Sequence, residues 1–178
     1  MRQEQRIYNI VIGALFIALS IIFTRLLAIP IGTFRIGLGL VPIHYAAFWL
    51  GPIWGFVIAV ISDLIGIVLN PSGPPHYGIT LTFALRAVIA GLIAMYPSRS
   101  LGPVKVVLTV LIDMLVCSLL LMSLWMAQIL NTPYWTMFIT RVPNALMQGM
   151  VLIIVEILLL PVFRMVQKRV PVRFLRRI

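Results

Sequence analysis

Long apolar runs separated by short clusters of Pro, Gly and charged residues set the pattern of this chain. The runs are too long and too unbroken for amphipathic surface helices, which would show polar residues on one face. Taken as membrane spans, they predict six helices, over 7–29, 38–50, 53–69, 79–96, 104–130 and 136–163. The breaks carry recognisable turn chemistry: PIGTFRIG (30–37) reads as a loop, GPIWG (51–55) as a tight turn, and NPSGPPHYG (70–78) as the strongest breaker. PSRSLGP (97–103) and NTPYW (131–135) separate the last three spans. The second span is too short to cross a bilayer upright, so it requires shielding by neighbouring helices or a partly re-entrant path. The N-terminal run follows Arg2 and Arg6 as a signal peptide would, but at roughly 20 residues it is long enough to span and is read as a retained helix.

Composition agrees with lipid as the solvent. Of 178 residues 62% are hydrophobic and only 10% charged, and the mean hydropathy is +1.11. The expected fold is all-α, a polytopic six-helix bundle forming a single domain over 1–178, with a basic tail at 164–178. The net charge of +10 follows topology rather than nucleic acid, because the basic residues flank the apolar runs. One side collects Arg2, Arg6, Arg99, Lys105, Arg164, Lys168, Arg169, Arg173, Arg176 and Arg177, whereas the other has Arg25 and Arg35. The positive-inside rule then places both termini in the cytoplasm of a cell membrane. The lone Cys117 leaves no intramolecular disulfide to form.

The charges inside the spans change the picture most. Arg86 interrupts TFALRAVIAGLIAMY (82–96), where a guanidinium costs about 2.5–3.5 kcal/mol near mid-bilayer on insertion scales. At 1.5 Å per residue, Arg86 and Asp63 both lie roughly 10 Å below the outer face on consecutive antiparallel helices, so they can pair. Arg141 lies about 8 Å below that face on span six. Arg25 lies near the outer end of span one, Arg35 follows in the loop, and His76 and Tyr77 lie above Asp63 and Arg86. Four arginines against Asp63 leave surplus positive charge, which suggests an anionic ligand held by guanidinium forks. Trp125 lies deeper than an interfacial anchor should and offers a stacking face; Asn144 is grouped with these candidates. Arg25 and Arg35 snorkelling to headgroups, and a purely structural Asp63–Arg86 pair, are the competing readings.

Asp113 lies nearer mid-membrane, where it could accept a ligand hydrogen bond, stay protonated or gate a proton. Glu156 is expected near the inner end of span six, facing the tail or a partner, and His44 near a loop or helix end. Trp49, Trp54, Tyr134 and Trp135 read as interfacial anchors. No HExxH, GxSxG or P-loop occurs, and neither a catalytic residue, a metal ligand nor a cofactor is expected. Ala14 and Ala18, one turn apart in ALFIA (14–18), would let another helix approach closely.

Four segments carry a resemblance: ALFIALS, RIGLGLVPI (35–43), FWLGPIWGFVIAVISDLIGIVLNPSGP (48–74) and ITLTFALRAVIAGL (79–92). Together they make the chain similar to the S-components of prokaryotic energy-coupling-factor vitamin transporters, most closely the folate family. That resemblance implies six helices, a vitamin bound near the outer face, and association with a transmembrane coupling subunit and two ATP-hydrolysing subunits. It implies that the small-residue motif, here Ala14 and Ala18, meets the coupling subunit. It also implies that the cationic pocket holds a folate glutamate tail with aromatics near the pterin. An S-component for another vitamin or precursor fits the same charges; a lipid-modifying enzyme would gather its carboxylates at one depth, and these are scattered.

Overall fold

The computed structural model describes residues 2–26, 29–31, 34–69, 76–96 and 101–169, with side chains over 6–24, 37–69, 76–96 and 101–166. Helix α1 (Arg2–Ile21) continues as a π-helical turn, Ile22–Leu26. Short strands β1 (Ile29–Ile31) and β2 (Phe34–Ile36) then pair antiparallel, with Pro30 opposite Arg35. The segment read as a loop therefore contains two short paired strands. Helices α2 (Leu40–Leu50), α3 (Pro52–Leu69) and α4 (Tyr77–Met95) follow. A long rod, Pro103–Leu130, comprises α5 (Pro103–Ile112), a π-helical segment (Asp113–Leu121) and α6 (Met122–Leu130). Helix α7 (Tyr134–Arg169) ends the described chain. The predicted spans match these elements to within a few residues at most ends. The larger differences are the start of the first at Arg2, its end at Leu26 and the extension of the last to Arg169.

Five of these helices are long and apolar enough to cross a membrane, and this is a multi-pass membrane protein. The sixth, α2, has 11 residues, all buried. Its shortness is tolerated because α1, α3, α4 and α7 wrap it, so no unsatisfied backbone meets lipid. Close approach comes from small residues: Ala46 and Ala47 on α2, Ala59 on α3, and Ala87, Ala90 and Ala94 on α4 are buried. Gly51 takes φ 88 to turn α2 into α3, a conformation that suits glycine.

Two packed groups result. The first is α1–α4 around α2; the second is the Pro103–Leu130 rod against α7. They join where α4 meets the π-helical segment and where α2 meets α7. The second junction carries an aromatic cluster in which Phe163 packs 4.6 Å from Tyr45 and 5.3 Å from Trp49, ring centre to ring centre. Trp49 is accordingly a core residue, 5% exposed, and not an interfacial anchor. At the Pro103 end, Lys105 donates to the Ala94 carbonyl and Arg164 to that of Leu101, so basic side chains cap orphan backbone acceptors there.

Candidate functional site

Arg86 stands nine residues into α4 and Asp113 ten residues into the Pro103–Leu130 rod. Counted from opposite ends, both depths are about 15 Å, near the middle of a 30 Å hydrocarbon core. They meet there: Arg86 Nη1 donates to Asp113 Oδ2 at 3.4 Å, with 7% and 3% of the side chains exposed. The expected partner, Asp63, lies higher, six residues from the end of α3, and accepts instead from Thr80 Oγ1 at 2.7 Å. Helix α4 begins at Tyr77, two residues before its predicted start, which moves Arg86 below Asp63 and level with Asp113.

The pair is long and incomplete. Arg86 Nε and Asp113 Oδ1 are buried without a hydrogen-bond partner, although the Cys117 thiol, a weak donor, lies within reach of the carboxylate. A cavity of about 10 Å³, room for one water, adjoins both and is lined also by Ser118 and Gln148. Arg141 lies within electrostatic reach of Arg86, and its Nε is likewise buried and unpartnered. Asn144, one turn along α7, adds an unpartnered Oδ1. Phe83 supplies a ring face 5.6 Å from the Arg86 guanidinium.

Above this cluster lie aromatics. Trp125 Nε1 donates to Thr82 Oγ1 at 3.0 Å, one turn above Arg86, and its ring lies 5.4 Å from that of His76. His76 caps α4, its Nδ1 accepting from the Gly78 amide. Gly78 is required: any Cβ there would overlap the Trp125 ring.

Of the predicted candidates, Arg86, Arg141, Asn144, Trp125 and His76 thus fall between the middle of the bundle and the Tyr77 end of α4, with Asp63 held by Thr80 near the top of α4. Tyr77 is 95% exposed and turned away. The side chains of Arg25 and Arg35 lie outside the described residues; their backbone forms part of the π-helical turn and of β2. Ser118 and Gln148, lining the cavity, were missed, because neutral polar residues in apolar runs give no depth signal of their own.

A second buried pair corrects two expectations. Glu156 faces neither tail nor partner: it accepts from or shares a proton with His44 Nδ1 at 2.7 Å, both side chains fully buried. Tyr45 also donates to the Glu156 carbonyl, fixing α2 to α7. Among the described residues no group of three or more His, Cys, Asp or Glu could hold a metal.

A family profile described as "ECF-type riboflavin transporter, S component" matches residues 4–165. The chain belongs to this family. S components are vitamin-binding transport subunits, not enzymes, and work within membrane complexes. Two curated relatives are named folate transporter FolT. That of Clostridium novyi is 29% identical over 128 residues, covering 72% of this chain and 73% of its own. That of Leuconostoc mesenteroides is 24% identical over 148 residues, covering 83% and 79%. A solved structure, FolT bound with folic acid, superposes with a TM-score of 0.74 at 20% identity, over 84% of this chain and 90% of that one. This S component therefore has the fold of a membrane bundle that binds a vitamin, as its sequence led one to expect.

Proposed function

We propose that this S component captures an anionic vitamin, folate, from outside the cell and delivers it through an ATP-driven complex of a transmembrane coupling subunit and two ATPases. The observation that carries the reading is the surplus of buried cationic donors. Arg86 and Arg141 have one carboxylate, Asp113, between them, and both Nε atoms are unpartnered. Buried donors left unsatisfied are rare in folded proteins, and a carboxylate is the group guanidinium forks hold best. The glutamate tail of folate would supply it, and the Trp125 and His76 rings above would flank the pterin. Arg25, Arg35 and Asp63 belong to the same end of the bundle and remain proposed contacts.

The family description favours a second reading, riboflavin. Riboflavin is uncharged and would leave the guanidinium pair uncompensated, whereas both named relatives are folate transporters. In either case the water-sized cavity has to widen, since vitamin sites occupy hundreds of cubic ångströms. The strong basic bias of the Arg164 end supports cytoplasmic termini in a prokaryotic cell membrane protein, read as one domain with a basic tail.

The test is titration of the purified chain with folic acid by tryptophan quenching, with riboflavin, thiamine and biotin as comparators. Saturable binding of folic acid alone is expected. Binding of riboflavin alone would move the substrate to the second reading.

A further inference from the structure

We infer that Asp113 is a built-in competitor: it holds Arg86 until a vitamin arrives and is displaced from it by the vitamin's carboxylate. This inference rests on the anionic-vitamin reading above and assigns a role within the same site.

Three observations carry it. First, the Arg86–Asp113 contact is a single 3.4 Å bond, at the weak limit for a charge-assisted pair, where a bidentate fork would be shorter and doubled. The free Arg86 Nε and Asp113 Oδ1 show that neither group has its full complement of partners. Second, Asp113 opens a nine-residue π-helical segment. Such segments are rare and frequently mark functional positions. Third, the cavity beside the pair is edged by Ser118 and Gln148, polar groups toward which a released carboxylate can turn without entering lipid. The groups bearing on Asp113 are Arg86, the Cys117 thiol and, at longer range, His44, so its charge is shared chiefly with Arg86.

A competitor of this kind sets selectivity. A ligand lacking the tail carboxylate cannot release Arg86, because breaking a buried ion pair without replacement is strongly unfavourable. A ligand bearing it exchanges one carboxylate for another.

The deciding experiment titrates wild type and Asp113→Asn with folic acid and with its diamide, in which both glutamate carboxylates are neutral carboxamides. Asp113→Asn should bind folic acid about tenfold more tightly, and the diamide within about twofold of wild type. Unchanged or weaker folic acid binding in the variant, or equal tightening of both ligands, overturns the competitor role while leaving the folate reading intact. Failure of wild type to bind folic acid overturns both. Asp113→Ser is the second variant should the first not fold. Moreover, the chain has two aspartates, Asp63 and Asp113. Carboxylate-labelled aspartate in wild type should therefore show an infrared shift on folic acid binding, assigned to Asp113 by its loss in Asp113→Asn. No shift overturns the inference.

Discussion

At the scale of single residues, unsatisfied atoms say more than satisfied ones. Arg141 has a buried Nε without partner and so contributes a desolvation penalty to the fold. Arg141→Ala should therefore leave the thermal midpoint of the purified protein unchanged or slightly raised. It should weaken folic acid binding by roughly 1.5–3 kcal/mol, the range for hydrogen bonds to charged groups. Titration and thermal unfolding on the same sample check this, and unaltered affinity removes Arg141 from the site. Gly78→Ala acts differently, by pushing the Trp125 ring off α4. Affinity should fall here too, together with the fraction of fluorescence quenched; retention of both would exclude Trp125 as a contact. The sequence reveals Arg86, Arg141 and Trp125 because charge or aromaticity at that depth is conspicuous. It does not reveal that Arg86 turns to Asp113. Depth follows from counting residues, but which way a side chain points around its helix depends on tertiary packing, and a start two residues earlier was enough to change the partner.

At the scale of elements, α2 decides how the two halves of the bundle hold together. Too short to cross lipid, it is buried on every side and anchors to α7 through His44 and Tyr45 at Glu156. Nothing in the sequence pairs residues 112 positions apart, so this junction was illegible, whereas the shortness of the helix and its need for shielding were plain. Removing one member leaves the other buried alone, which typically costs about 3–5 kcal/mol. Glu156→Ala should lower the thermal midpoint sharply. The double variant His44→Phe with Glu156→Leu should recover much of the loss, because apolar replacement of both partners is often neutral. Thermal unfolding in detergent distinguishes the two; equal destabilisation would mean that packing volume, not charge, dominates. The strand pair at Ile29–Ile36 was illegible for a different reason, as strands of three residues give no clear alternation. Both π-helical turns also escaped sequence reading, and they hold Arg25 and Asp113, two of the chain's intramembrane charges.

At the scale of the whole molecule, burial is uneven, and the unevenness points to the partner. Only 11% of the apolar window of α1 is buried, the least of any spanning helix here. Ile7, Val11, Ala14 and Ala18 are exposed along one helical face, while Gly13 and Ser20 turn inward against α3 and Gly39. Lipid alone would accept large side chains along that whole face. Alanines at 14 and 18 instead lower its profile where another helix can pack closely, which is how membrane helices associate when no hydrophobic force drives them together. The proposed vitamin site involves α4, the Pro103–Leu130 rod and α7, none of which needs that face. Ala14→Trp should therefore leave folic acid affinity at the wild-type value and abolish recovery of the chain in complex with the coupling subunit on co-expression. Ala14→Gly, which keeps the surface low, should assemble normally. Assembly of the tryptophan variant would move the docking surface elsewhere, whereas loss of both binding and assembly would mean that α1 supports the fold itself.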